Sequence, residues 1–146
     1  MVTGFSKVNE HEIHGEYTVP VYYEDTDFSG FVYHANYLKY CERAREHLIG
    51  LNWIRELFRD GLHFVVRRAE IDFLSPASHG DQITVKSRCF FSRSPLLKFE
   101  QEIFKKGYGE AKCALVKLDV VFVGSGGKPQ RLSRDVLAHL HSLVTS

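Results

Sequence analysis

The sequence predicts an α+β domain in which a curved antiparallel sheet wraps around one long helix. Three observations carry this. Residues 36–49 contain the one long stripe of apolar residues at helical spacing. Residues 62–123 break into four strand-like runs joined by turn-rich clusters. Such a run of antiparallel strands has one apolar face to cover, and the helix at 36–49 is the only long amphipathic element able to cover it.

Taken in order, residues 1–15 are polar and aperiodic and read as a loose tail, leaving 16–146 as a single domain. Tyr17 to Tyr23 (YTVPVYY) is β-branched and aromatic, hence a strand, with Pro20 suggesting an edge. In the helix, Tyr37, Tyr40, Cys41, Ala44, Leu48 and Ile49 share a face, Asn36 is a candidate N-cap and Gly50 a C-terminal stop. Trp53 to Phe58 reads as a shorter helix ended by Asp60-Gly61. Leu62 to Leu74 is expected to put Val65, Ala69, Ile71 and Phe73 on one face. Gln82 to Phe91, Leu96 to Phe104 and Glu110 to Val123 follow as strands, with Lys105–Gly109 as a hairpin tip. Ser133 is a candidate N-cap for a terminal helix to Leu143. The sheet would have open edges, so a homo-oligomer is expected.

Composition excludes several classes. The chain of 146 residues is 44% hydrophobic and 25% charged, an ordinary globular balance. A formal net charge of +1 gives no clustered basic footprint for nucleic acid. Cys41, Cys89 and Cys113 are odd in number, far apart and in apolar stretches, which suits buried thiols in a reducing compartment and no structural zinc. The N-terminus has no signal-peptide pattern and no apolar run approaches membrane-spanning length, so a cytoplasmic protein with no transmembrane segment is expected.

The most informative stretch is Tyr23 to Tyr40, YEDTDFSGFVYHANYLKY. Three acids (Glu24, Asp25, Asp27) lie in a strand-to-helix turn, followed by Gly30 and by His34 just before the helix. The first helical turn has unpaired N–H groups and the positive end of the dipole, which suit an oxyanion developing on a carbonyl. A carboxylate on the preceding loop could face the same carbon as base or as nucleophile. Acids before a helix also serve as caps or turn residues; Glu24 and Asp25 read as structural or solvated.

The string DTDFSGFVYHANYLKYCERARE resembles the signature of the 4-hydroxybenzoyl-CoA thioesterase family of hotdog-fold proteins, in particular its YbgC-like branch associated with the Tol-Pal envelope system. The resemblance continues through FVVRRAEIDFLSPASHGD and covers nearly the whole chain after the tail. It implies the hotdog fold, a five-stranded or six-stranded antiparallel sheet around a central helix, assembled as a dimer or dimer of dimers (a homotetramer). It implies hydrolysis of an acyl-CoA substrate with no cofactor and no metal, an acyl carrier protein being the other conceivable carrier. The family's catalytic aspartate falls on Asp27 and its histidine on His34, with backbone N–H groups around Tyr33 to Ala35 polarising the carbonyl. Arg93 is the first choice for coenzyme A phosphates and Arg88 the second, while Ser94 could help position substrate. Phe28, Ser29 and Phe31 depart from the small or aliphatic residues of many relatives, which bears on the acyl pocket.

The remaining aromatic residues, Trp53, Phe58, Phe64, Phe73, Phe90 and Phe91, are expected in core or interface. His139 and His141 are expected to face solvent. No GxSxG elbow or phosphate-binding glycine loop occurs. A hotdog dehydratase would use a differently placed histidine. A non-catalytic acyl-CoA-binding or interaction module would bind the thioester without turnover.

Overall fold

The alternation read in the later strands is the alternation of burial in the computed structural model, which describes residues 10–107 and 111–144. The strands are β1 (His11–Pro20), β2 (His63–Phe73), β3 (Gln82–Phe91), β4 (Leu96–Lys105) and β5 (Ala111–Val123). They form one antiparallel sheet in the order β1-β3-β4-β5-β2. Ile83, Val85, Cys89 and Phe91 of β3, Leu97, Phe99 and Ile103 of β4, and Ala114, Val116, Leu118, Val120 and Phe122 of β5 are buried. That is period-two patterning with the apolar face turned to one side.

Three helices complete the chain: α1 (Asn36–Ile49), α2 (Leu51–Arg59) and α3 (Arg134–Ser142). α1 lies against the inner face of the sheet, chiefly on β1 and β3, and buries Tyr37, Tyr40, Cys41, Ala44 and Ile49. Burying such side chains contributes roughly 1.5–3 kcal/mol for each large one. Gly50, at φ +106°, turns the chain into α2. In the core, Gln101 is fully buried and donates through Nε2 to the Cys41 carbonyl and Ser87 Oγ, both at 3.0 Å. Its Oε1 accepts from Arg45 Nη1 at 3.1 Å. Cys41 and Cys89 are free and buried, and burial pushes both thiols up to about 12.

Several expectations need correction. β1 starts at His11, six residues before the strand read from Tyr17, so the tail drawn over 1–15 overlaps it; residues 1–9 lie outside the described residues. Ile13 is buried while His11 and His14 are exposed, and full pairing with β3 supplies what the polar segment's own pattern lacks. In β2 the register shifts between Val66 and Arg68, so the inward side changes parity along the strand. Phe64, not Val65, packs on Phe122, at 5.3 Å between ring centroids, and Val65 is exposed. His139 is docked: its Nε2 lies 2.8 Å from the Ile49 carbonyl and its ring stacks on Trp53 at 3.8 Å. His141 does face solvent. The Ser133 side chain caps α3 by accepting from Val136 N at 3.3 Å. Tyr108 and Gly109 of the hairpin tip are outside the described residues. Among the described residues no helix is long and apolar enough to cross a membrane.

Candidate active site

The segment between β1 and α1 folds as a small backbone-built loop. Thr26 pairs with Val32 and Phe31 with Ser78 in isolated antiparallel bridges. Asp27 N donates to the Phe31 carbonyl at 2.9 Å and Gly30 N to the Asp27 carbonyl at 3.0 Å, with Gly30 at φ +85° closing the turn. Val32 N donates to the Ala77 carbonyl at 2.8 Å, tying the loop's return arm to the approach to β3.

Asp27 is exposed on this loop, with one carboxylate oxygen engaged. Oδ1 accepts from Ser29 Oγ at 2.5 Å and from Ser29 N at 2.8 Å. The hydroxyl first and the amide second hold the Asp27 carboxyl below the usual carboxylate range, and the positive character of His34 pulls the same way. Oδ2 makes no hydrogen bond among the described residues. Phe28, at the loop apex, is fully exposed.

Tyr33, His34 and Ala35 lead into α1. The structure amends the expected donor set: Tyr33 N is taken by the Asp25 carbonyl at 2.9 Å. The amides of His34 and Ala35 have no acceptor among the described residues. Asn36 is not the N-cap. Ala35 occupies that position with no side-chain cap, and Asn36 Nδ2 instead donates to the Asp25 carbonyl at 2.8 Å. Alanine has no side-chain acceptor for the amides of the first helical turn, and Leu38 N turns to the Ala35 carbonyl at 3.2 Å instead. The His34 ring is 4.5 Å from Tyr33 and 6.1 Å from Phe73, and it lines a shallow cleft of about 290 Å³ with Val32, Tyr37, Phe73, Leu74, Ser75 and Pro76.

Arg93 and Ser94 stand elsewhere. They occupy the β3–β4 connection, whereas the Asp27 loop joins the chain near the start of β3. The ten residues of β3 separate the two ends by about 30 Å at ~3.3 Å per residue. Ser94 Oγ accepts from Leu96 N at 3.1 Å and so shapes the turn into β4. Arg93 opens onto a cleft of about 820 Å³ with His11, Arg131, Leu137 and His141, continuous with a second cleft that adds Arg134. Arg93, Arg131 and Arg134 make no ion pair among the described residues. The sequence reading missed Arg131 and Arg134; the only signal was their spacing across the start of α3. Arg88 lies on neither cleft. It points outward from β3 and binds Glu12 on β1 at 3.1 Å and Glu100 on β4 at 3.4 Å. No group of three His, Cys, Asp or Glu side chains among the described residues is arranged to hold a metal ion.

A family model described as the thioesterase-like superfamily matches residues 21–140. An "Acyl-CoA thioesterase YbgC" of Haemophilus influenzae is 37% identical over 130 residues, 87% of this chain and 94% of that protein. An "Acyl-CoA thioesterase YbgC" of Helicobacter pylori is 43% identical over 84 residues, 58% of this chain, and the match spans 62% of that relative's length. A crystal structure of a 1,4-dihydroxy-2-naphthoyl-CoA thioesterase from Synechocystis superposes with a TM-score of 0.80 at 22% identity, covering 89% of this chain and 97% of that one. That likeness concerns the fold, which is the hotdog expected from the sequence.

Proposed function

The chain belongs to the thioesterase-like superfamily, and from that premise we propose that it is a cytoplasmic acyl-CoA thioester hydrolase, with Asp27 as base or nucleophile and the N-terminus of α1 as oxyanion site. The observation that carries this reading is the pairing of Asp27, held ionised by Ser29, with the acceptor-free amides of His34 and Ala35 at the other end of the same short loop. The names of the YbgC relatives support the substrate class.

In the general-base route, Asp27 takes a proton from water as the water oxygen bonds to the thioester carbon. The carbonyl oxygen becomes an oxyanion facing the His34 and Ala35 amides. Collapse of the tetrahedral adduct breaks the C–S bond, and the coenzyme A thiolate leaves and is protonated. In the nucleophilic route, an Asp27 oxygen bonds to the carbon, the thiolate leaves, and water hydrolyses the resulting mixed anhydride. His34 orients the thioester at the mouth of the cleft it shares with Phe73.

The Arg93 cleft and its neighbour suit the phosphates of coenzyme A, since between them they hold three arginines that pair with no carboxylate among the described residues. Along one chain it lies farther from Asp27 than a phosphopantetheine arm reaches. A second copy resolves this. Of the two edge strands, β2 exposes Val65, Val66 and Phe73, whereas β1 carries Glu12, His14 and Glu16. A two-fold copy paired on β2 runs antiparallel, laying its His63 end, with the Arg93 cleft beyond, beside the Phe73–His34 end of the first. Each site then combines Asp27 of one copy with Arg93 of the other.

Thiol release from a panel of short, long and aromatic acyl-CoAs tests the proposal. Asp27→Asn is expected to lower turnover about 100- to 1000-fold, and turnover near wild type would remove Asp27 from the chemistry. Arg93→Glu is expected to raise KM. Mixing it with Asp27→Asn should regenerate intact sites, and a mixture no better than its parents would refute the two-copy site.

A further inference from the structure

A loop holds a carboxylate only as firmly as its own ends are held. Residues 27–31 are exposed and bury no side chain, so burial does little to fix the Asp27 carboxylate relative to α1. The junction that does so is Asp25. Its carbonyl accepts from Tyr33 N at 2.9 Å and from Asn36 Nδ2 at 2.8 Å, and its carboxylate Oδ2 accepts from Tyr22 N at 2.8 Å. Entry and exit of the loop thus meet on one peptide group. The Asn36 side chain carries the Asp25 carbonyl directly onto the first turn of the helix.

We infer that Asn36 is a positioning residue for thioester hydrolysis, clamping the Asp27 loop against the start of α1 through the Asp25 carbonyl. The inference rests on the thioesterase reading above. A local rule is broken to make the clamp. Asparagine is among the best N-capping residues, yet it sits one position inside the helix and turns its amide away from the helix's own N–H groups. An uncapped helix start costs about 1 kcal/mol. Departures of this kind gather where function sets the geometry. The His34 and Ala35 amides have no acceptor among the described residues, and with Asn36 bonded to the loop, the loop keeps a fixed distance from them. Asn36 reaches neither substrate nor Asp27; it acts through the backbone of Asp25.

The test uses the full-length chain, with kcat and KM for thiol release measured beside the melting temperature. Asn36→Leu keeps the side-chain length and removes the donor. It is expected to lower kcat about 10- to 100-fold with KM within threefold, since a misplacement near 1 Å costs that much. Asn36→Gln, which keeps a donor one methylene farther out, should recover part of the loss. In an Asp27→Asn background, Asn36→Leu should add nothing. A purely structural role would lower the melting temperature and leave kcat per folded protein within twofold of wild type, which overturns the inference. Failure of the thioesterase reading shows separately, as full activity in Asp27→Asn alone, and it removes the clamp's purpose with it.

Discussion

Replacing Gln101 by leucine probes the polar pair, Gln101 and Ser87, buried at the centre of the sheet's inner face. Gln101 is completely buried and makes three hydrogen bonds, to the Cys41 carbonyl, to Ser87 Oγ and from Arg45 Nη1. Each bond contributes about 0.5–1.5 kcal/mol, and stranded partners cost more because water cannot replace the lost group. Ser87, 3% exposed, is stranded in full. Arg45 opens onto a cleft beside Glu42 and Glu46, so water takes up part of its loss. Leucine returns some apolar burial. The net destabilisation is about 2–4 kcal/mol, a drop in melting temperature of about 5–15 °C for a chain of this size. Urea denaturation followed by circular dichroism reads it as a lower midpoint at unchanged slope. Adding Arg45→Met should recover part of the loss, because the stranded cation goes with its acceptor. A single-variant loss below about 0.5 kcal/mol would refute the reasoning and mean that the network adds nothing to stability.

Two further outcomes follow from the site loop and the core. Ser29→Ala removes the hydroxyl that does most to lower the Asp27 pKa, so the acid limb of kcat/KM should move to higher pH, while the remaining Ser29 amide limits the move. The sign follows from the bond lost: a donor to the carboxylate favours the charged form, so removing it raises the Asp27 pKa and a higher pH is needed for the ionised group. An acid limb that stays in place or moves down would separate Asp27 from the pH profile. Tyr40→Phe removes a buried hydroxyl that meets no hydrogen-bond partner at bonding geometry among the described residues, one whose pKa burial and the nearby Asp25 push up. The variant should melt at or above the wild-type temperature by differential scanning calorimetry, and a fall of more than a few degrees would reveal a working Tyr40–Asp25 bond.

Much of the fold is legible because it is written in burial. Tyr37, Tyr40, Cys41, Ala44 and Ile49 keep helical spacing because α1 has one face on the sheet. β3 and β4 keep strict alternation, and β5 keeps it from Ala114 to Val120, because each has one face on the core; beyond Val120 both faces of β5 are covered. The edges are less legible. β1 begins in a polar segment whose pairing comes from β3, and β2 hides its inward side behind a bulge at Arg67. The same physics divides the site. Asp27, Gly30 and His34 stand out because turn chemistry and a helix start are local signals. Arg131 and Arg134 do not, since only the packing of α3 beside the β3–β4 turn brings them to Arg93. Arg88 shows the limit of a local signal, because a charge on an outward strand position reads the same whether or not it pairs, as it does here, with two glutamates on the flanking strands.

Phe28 stands at the apex of a turn whose shape is set by backbone bonds and by the Asp27 and Ser29 side chains, and its own ring is fully exposed in the single chain. A side chain that supports nothing can be exchanged at almost no energetic cost, within about half a kcal/mol. Its neighbour Asp27 enjoys no such liberty. Residue 28 can therefore be changed without disturbing the Ser29 bonds to the carboxylate that the proposed reaction uses, so the tip and the site can be varied independently.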